Sequence, residues 1–377
     1  MARFVYLILV LIFSNLVLSA QDKKLSLIIH QIDGTEIRYP AENVDSVTVD
    51  NVDANFSAPS EITVKKVYGD GRTYCAFTTL VKRESTYYLA FREGDTHVAD
   101  GDYGKIKILY SSDGDKWELY QIISLDQIDL RDPNLSVMPD GKLLLLCGAR
   151  MLSDNGSYVT RTYYAKEMDN GFGIPALANL PQEINWDACS WVWRLTWYDG
   201  VGYGVCYGGE SPALVKTTDG YNYELISYLS IPGTPSECRV RFQDDGTAVM
   251  IVRREQGSTS IKGYMGMAEP PYMNWEWKEL NVSIAGEDFL IDGNKVVIAT
   301  RMTQNIGSWT AAWFGDINGN FNWCYTFPYG CTAFRGDTGY AGMLNEEKEY
   351  WISYFAIDKG DKPSVFLVRI PKSILSF

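Results

Sequence analysis

The chain has 377 residues and carries 34 Lys and Arg against 47 Asp and Glu, a formal charge of −13, which excludes a general nucleic-acid or anionic-membrane surface. Aromatic residues make up 14% and charged residues 21%, so neither disorder nor a coiled coil fits and the sequence reads as a packed, β-rich protein. In so acidic a chain, any cluster of arginines needs its own explanation.

Residues 1–20 hold one early Arg3, an apolar run from Phe4 to Phe13 that continues through Leu16 to Leu18, and the small pair Ser19-Ala20 before polar Gln21 to Lys24. This is the pattern of a secretory signal peptide. A membrane anchor fits less well, because Ser14-Asn15 interrupt the run and no basic stop-transfer cluster precedes it. The expectation is an exported protein, periplasmic or extracellular, with no membrane span in its mature form. Residues 21–60 read as a small β module and linker. Apolar and polar side chains alternate through Leu25 to Ile29, Glu36 to Tyr39 and Ser46 to Val49 around an Asp33-Gly34 turn, and Asn51 to Ser60 has linker composition.

From Glu61 onward a degenerate repeat appears. Ser111-Ser112-Asp113-Gly114-Asp115-Lys116-Trp117 has related turns at Met168-Asp169-Asn170-Gly171, Thr217-Thr218-Asp219-Gly220-Tyr221-Asn222-Tyr223 and Asp316-Ile317-Asn318-Gly319-Asn320-Phe321-Asn322-Trp323, where Asn318 aligns with the Asp, a weaker one at Tyr272-Met273-Asn274-Trp275, and a last one near Asp358-Lys359-Gly360. In such a turn the Asp accepts main-chain N–H bonds, Gly supplies the positive φ, and the aromatic seals the hairpin base. Four short β-rich runs flank the first turn: Ala76 to Val81, Tyr87 to Phe91, Ile106 to Tyr110 and Trp117 to Ile123. Six repeats of four strands over residues 61–377 predict an all-β, six-bladed β-propeller. The last repeat has only three strands of its own, so the run Glu61 to Tyr68 is expected to complete it.

Seven cysteines, at 75, 147, 189, 206, 238, 324 and 331, are too few for a disulfide scaffold and mostly sit in strand-like runs as buried thiols. Cys324 and Cys331 flank a Pro328-Tyr329-Gly330 turn and form the one candidate bridge. With no CxxC, no HExxH and only His30 and His97, neither a metal nor an organic cofactor is expected.

Together with the Asp turns, Phe91-Arg92-Glu93-Gly94, Asp129-Leu130-Arg131-Asp132-Pro133, Val192-Trp193-Arg194-Leu195-Thr196-Trp197 and Leu367-Val368-Arg369-Ile370 resemble the sialidase-like glycoside hydrolase superfamily of six-bladed propellers, over residues 61–377. The resemblance implies three arginines for a substrate carboxylate, an Asp acid/base, and a Tyr nucleophile activated by a Glu. A neutral phenol suits an anomeric carbon bearing a carboxylate, which would repel an anionic nucleophile, and the Glu takes a proton that Tyr alone yields only near pH 10. Carried over, Glu237 resembles the Glu, Arg253 the second arginine, Arg301 the third and Tyr340 the nucleophile. The first arginine is missing from Tyr74-Cys75-Ala76-Phe77, so Arg72, Arg92 or Arg131 would have to replace it. For the acid/base, Asp95 and Asp100 both qualify.

His97 stands in the same loop and has the intrinsic pKa of a general acid/base near neutrality. Arg131-Asp132, Trp193-Arg194 and Asp337 fall near the inner-strand ends of blades two, three and six. Each admits an ordinary reading: Arg253, Arg301 and Asp132 as ion pairs between strands, and Tyr340, Trp191 and Trp193 as packed aromatics. The expected function is an exo-acting glycoside hydrolase on a terminal acidic sugar, sialic acid or a related ulosonic or uronic acid. The alternatives are a polysaccharide lyase, with His97 or Tyr340 abstracting the proton beside a uronate carboxylate, and a non-catalytic glycan-binding propeller. Nothing in the sequence fixes the oligomeric state.

Overall fold

The computed structural model describes residues 26–30, 36–40, 61–98, 101–255, 262–304, 307–331 and 337–375. The chain divides into two units, 1–59 and 60–377. In the first, Ser26–His30 and Glu36–Pro40 pair antiparallel with Ser26 opposite Pro40. The signal segment, the Asp33-Gly34 turn, the linker from Asn51 to Ser60 and Asp100 lie outside the described residues. Among the described residues no helix is long and apolar enough to cross a membrane.

Among its described residues the second unit is all β apart from two short 3₁₀ turns, Gln182–Ile184 and Lys372–Ile374. Its described strands form six successive antiparallel arrays. The first contains Tyr74–Arg83, Thr86–Gly94, Lys105–Ser111 and Glu118–Ile123. The second contains Asp129–Val137, Leu143–Leu152 and Tyr158–Met168, with Gly171–Phe172 and Ala176–Leu177 as two fragments of a fourth strand. Gly173 and Pro175 lie between these fragments, where proline lacks the N–H a continuous ladder needs. Cys189–Tyr198, Val201–Tyr207, Ala213–Thr217 and Glu224–Tyr228 make the third array, which touches the second through a two-residue parallel contact, Thr160 to Cys189 and Arg161 to Ser190. Pro235–Phe242, Ala248–Arg254, Lys262–Ala268 and Glu276–Ser283 make the fourth, and Asp288–Asp292, Lys295–Gln304, Gly307–Asp316 and Phe321–Cys331 the fifth. The sixth is Gly339–Asn345, Glu349–Ala356 and Ser364–Pro371, completed by Thr63–Tyr68 from the start of the unit. The first strand of each array touches the first strand of the next, and the sixth touches the first.

The turn chemistry follows the sequence pattern in detail. Asp113 Oδ1 accepts the N–H groups of Asp115 and Lys116 at 2.8 and 2.9 Å, and the Trp117 indole donates to the Gly114 carbonyl at 3.1 Å. Asp219 does the same for Tyr221 and Asn222, both at 2.7 Å. At the fifth array the capping carboxylate is Asp316, two residues before Asn318 at the aligned position, and it takes the N–H of Asn318 at 2.9 Å. In the degenerate turn Tyr272 adopts φ +63, and its carbonyl accepts the Trp275 indole at 3.0 Å, as Gly114 does for Trp117.

Packing between neighbouring arrays supplies the core. Tyr88, Ile106 and Ile108 of the first array mesh with Leu130, Leu143 and Leu145 of the second, and Val249 and Ile251 of the fourth with Phe289, Val296 and Ile298 of the fifth. Trp351 and Leu367 of the sixth close on Leu89 and Phe91 of the first. Each side chain so buried contributes about 1.5–3 kcal/mol, which no array gains alone. The candidate Cys324–Cys331 bridge does not form. Cys324 is a free thiol, and it pairs with Trp313 whereas Cys331 pairs with Ser308 on the same neighbouring strand. Five residues along a strand is about 16 Å, far beyond disulfide reach.

Candidate active site

The first strands carry a recurring irregularity. Register shifts fall between Ala76 and Thr79, Arg131 and Asn134, Trp193 and Thr196, Pro235 and Cys238, and Gly339 and Gly342. Within four of these bulges a non-glycine residue takes positive φ: Phe77 (61°), Asp132 (44°), Arg194 (37°) and Tyr340 (46°). Such conformations cost about 1–3 kcal/mol each and concentrate where a strand must re-aim a side chain. Here they turn the starts of the strands toward one another.

At that convergence the Tyr340 hydroxyl donates to Glu237 Oε1 at 2.9 Å. Arg253, on the strand beside Glu237, donates through Nη1 to Glu237 Oε2 at 2.7 Å and to the Tyr340 oxygen at 3.2 Å, while its Nη2 reaches Glu255 at 3.1 Å. The Gly286 N–H adds a further donor to Glu237 Oε2 at 3.2 Å. A side chain at Gly286 would press on the Tyr340 ring, and the residue's φ of +57 also favours glycine. Phe77, Trp193 and Phe355 wedge the Tyr340 ring at centroid distances of 5.0, 5.8 and 6.2 Å. Burial alone would raise the Glu237 carboxyl, but Arg253 outweighs it, aided by the Tyr340 hydroxyl and Arg301, and holds it below its usual range. Burial and then Glu237 push the Tyr340 phenol well above 10. The resting proton is therefore on Tyr340 and the charge on Glu237.

A second set of contacts adjoins the first. Asp337 accepts from Arg301 Nη1 at 2.8 Å on one oxygen; its other oxygen takes the Tyr74 hydroxyl and faces Nδ1 of His97. Burial would raise Asp337, but His97, Arg301 and Tyr74 keep it below the usual carboxylate range. His97 Nε2 lies 3.4 Å from Arg131 Nη2, and Arg131 Nη1 donates to the His97 carbonyl at 3.1 Å. An arginine only donates, so this arrangement calls for a neutral imidazole with its proton on Nδ1, toward Asp337. The Arg301 guanidinium stands 5.8 Å from the centre of the Tyr340 ring, which joins the two sets.

Of the proposed site residues, Glu237, Arg253, Arg301, Tyr340, Asp337, His97 and Arg131 thus form one continuous constellation. Arg92 and Arg194 support it from behind and are not open to a ligand. Arg92 is fully buried and engages Asp129 (2.7 Å), the Thr96 carbonyl (2.8 Å) and Asp102 (2.9 Å). Asp102 in turn caps the N–H groups of Asp95 and Thr96 at 3.0 and 2.9 Å, so this buried cluster fixes the loop that carries His97. Arg194 spends its donors on the carbonyls of Thr78 and Ala341, tying the first and sixth arrays to the third. Trp193 is 2% exposed and packs rather than offering a face to a sugar, whereas half-buried Trp191 stacks on Tyr207 at 5.9 Å. Asp95 is exposed, and its main chain is what the protein holds. Arg72 is exposed, away from these contacts.

Asp132 is buried beneath the site with Oδ1 unpartnered. Burial, opposed by Arg131 and reinforced by Glu237, pushes it up to about 7. Two participants were missed in the sequence. Tyr74 occupies the stretch where the resemblance places the first arginine, and the signal was the missing Arg itself. Glu287 is fully buried with both carboxylate oxygens unpartnered, and burial and then Glu237 raise it well above 4.5; a glutamate beside a glycine at a strand start gives no sign of this. Among the described residues no group of three or more His, Cys, Asp or Glu side chains is placed to hold a metal ion.

No protein-family model matches the sequence, and no curated protein matches it either. Solved structures do. A Dyadobacter fermentans protein of unknown function superposes with a TM-score of 0.70 at 14% identity, over 82% of this chain and 99% of that one. The endosialidase of phage phi92 gives 0.63 at 11% identity, over 93% and 73%. An α-L-arabinanase from Penicillium chrysogenum, complexed with arabinobiose, gives 0.58 at 13% identity, over 82% and 98%. The chain thus has the β-propeller fold of sialidase-like glycoside hydrolases. At these identities the likeness concerns the fold alone, and the fold is used for acidic and neutral sugars alike.

Proposed function

We propose that residues 61–377 close as a six-bladed β-propeller, with one blade per array, and that the exported protein is a glycoside hydrolase with Tyr340 as nucleophile and Glu237 as the base that activates it. The observation carrying this reading is the Tyr340 to Glu237 hydrogen bond at 2.9 Å, with Arg253 bridging both groups. As Tyr340 Oη attacks the anomeric carbon, its proton passes to Glu237 Oε1, and the phenolate charge that develops is met by Arg253 Nη1. His97, held through Nδ1 by Asp337 and 43% exposed at its side chain, rests with a lone pair on Nε2; it would protonate the leaving group only after taking a proton from solvent, and the neutral ring so restored would accept the proton of the water that hydrolyses the glycosyl–Tyr340 bond, with Asp95 the remaining candidate for that role. A terminal acidic sugar is the proposed substrate. Among the described residues the hydrogen bonds of Arg301 run only through Nη1, which leaves Nη2 and Nε for a substrate carboxylate beside Tyr340.

One observation favours a lyase as second reading. His97 Nε2 faces a donor and so presents a lone pair, the state of a base that removes a proton beside a uronate carboxylate. Assay on sialylated, uronate-terminated and neutral glycans, following both reducing-sugar release and ultraviolet absorbance, separates the readings. Saturated sugar released from acidic glycans supports the hydrolase, and an unsaturated uronate product replaces it with the lyase. Binding without turnover on every glycan leaves only the glycan-binding alternative.

A further inference from the structure

The far ends of the first strands hold a second concentration of charge. On Pro235–Phe242 Glu237 lies within the bulge and Arg239 and Arg241 follow it at every second residue, so Arg241 lies about 13 Å along the strand from the glutamate at the active site. Arg239 Nε stands 3.2 Å and Arg241 Nη2 3.0 Å from Asp288 Oδ1, and Arg194 Nη1 lies 3.6 Å from Asp288 Oδ2. Three guanidinium groups therefore share one carboxylate, and Asp288 also accepts the N–H of Phe289 at 2.9 Å. The Nε of Arg241 is buried with no hydrogen-bond partner, and that of Arg239, also buried, stands in ion-pair range of Asp288 without the alignment of a hydrogen bond; Arg239 is only 7% exposed. They border a cavity of about 200 Å³ whose wall includes Thr79, Asn134, Met343 and Asp288.

A water would satisfy these N–H groups but not the local excess of guanidinium over carboxylate, which is costly at buried Arg239. The surplus is felt within the cluster: burial, then Arg241 and Arg194, pull Arg239 down to about 9 despite Asp288. Lys82, also on the cavity wall, is neutralised by Glu346 at 2.5 Å and adds no counter-ion. The geometry points to a binding site for a small oxyanion at this cavity, held by Arg239 and Arg241 at the opposite end of the strands from Tyr340. The planar guanidinium fork suits phosphate, sulfate or a carboxylate, and any of these would balance the cluster.

Isothermal titration of the full chain with phosphate, sulfate and acetate, alongside thermal unfolding, tests the site. Saturable binding of one anion per chain is expected, with a rise in Tm of about 3 °C at roughly a hundredfold excess over Kd. Arg301→Ala must retain this binding, because acetate could otherwise be occupying the active site, and Arg241→Met must lose it. Preference for acetate identifies a carboxylate ligand; preference for phosphate or sulfate identifies a tetrahedral one. If Arg241→Met does not fold, the wild type and Arg301→Ala decide between them. No saturable heat with any of the three anions, binding lost in Arg301→Ala, or binding unchanged in a folded Arg241→Met would each overturn the site.

Discussion

Tyr340 and Glu237 are 103 residues apart in the chain, yet the phenol of one donates to the carboxylate of the other across a single 2.9 Å hydrogen bond. Because the phenol is pushed up and the carboxyl held down, the nucleophile is unarmed at rest. A substrate carboxylate that draws Arg253 away from Glu237 would raise the basicity of Glu237 and favour transfer of the proton. Glu237→Gln and Tyr340→Phe should each lower kcat by about 10³-fold or more, and the double variant should lose little beyond either single one. Steady-state kinetics on the best substrate checks this. Unchanged turnover with a lowered Tm would instead mark the pair as packing.

Substrate charge is read at Arg301. Arg301→Ala should raise KM for an acidic sugar by about 10–100-fold, the scale of a lost charge-assisted hydrogen bond, and leave a neutral sugar nearly unaffected. Equal losses on both would mean that Arg301 serves only to hold Asp337.

His97 and Asp337 make a separate, kinetic prediction. Asp337→Asn removes the acceptor that orients Nδ1–H, so kcat should fall by about 10-fold or more while KM for a neutral sugar changes little. His97→Gln should lower kcat at least as far. Unchanged turnover in both variants would transfer the role to a carboxylate such as Asp95.

Asp132 should make stability depend on pH in an unusual direction. Its folded pKa of about 7 lies above the ordinary 3.8. The folded state therefore holds a proton that the unfolded chain has released, and this contribution is full below about pH 4 and lost as pH rises through 7. Asp132→Asn should raise Tm relative to the wild type at pH 8, by the equivalent of roughly 1–4 kcal/mol, and hardly at all near pH 4. Parallel melting curves for the two proteins across this range would refute it.

The loop bearing His97 depends on glycine. A side chain at Gly104 would overlap both the Arg92 guanidinium and the Asp129 carboxylate. Gly104→Ala should cost about 2–4 kcal/mol by breaking a buried ion pair, and should also lower kcat without touching substrate. Denaturant unfolding beside kinetics measures both; a loss of stability with full activity would show that the loop finds its place without Arg92.

What could be read from the sequence was whatever repeats or obeys local rules. The turns at Asp113 and Asp219 announce themselves because their bonds lie within four residues. The contribution of Thr63–Tyr68 to the sixth array was visible as a missing strand. The functions of Arg92 and Arg194 were not visible, since an arginine that faces a ligand and one locked to Asp129 or to the Ala341 carbonyl look alike in sequence. Nor was the isolation of Glu287, which arises from what packs over it. The bulges that set Phe77, Arg194 and Tyr340 at positive φ escape propensity, because these residue types do not favour that conformation, and a lone Asp132, of a type that visits it more readily, marks no bulge by itself.

The sixth array has a consequence for how the protein is made. Thr63–Tyr68 emerges early in synthesis, but Ser364–Pro371, its hydrogen-bonded neighbour, comes roughly 300 residues later. At synthesis rates of about 5–20 residues per second, that strand spends tens of seconds without its neighbour. The sixth array cannot assemble before Ser364–Pro371 has been made, so a chain exported as proposed would stay threadable at least until that strand has passed. By the same logic, shortening the chain before Ser364 would leave Thr63–Tyr68 without its neighbour, whereas new termini placed in an outer hairpin turn would leave that pairing intact.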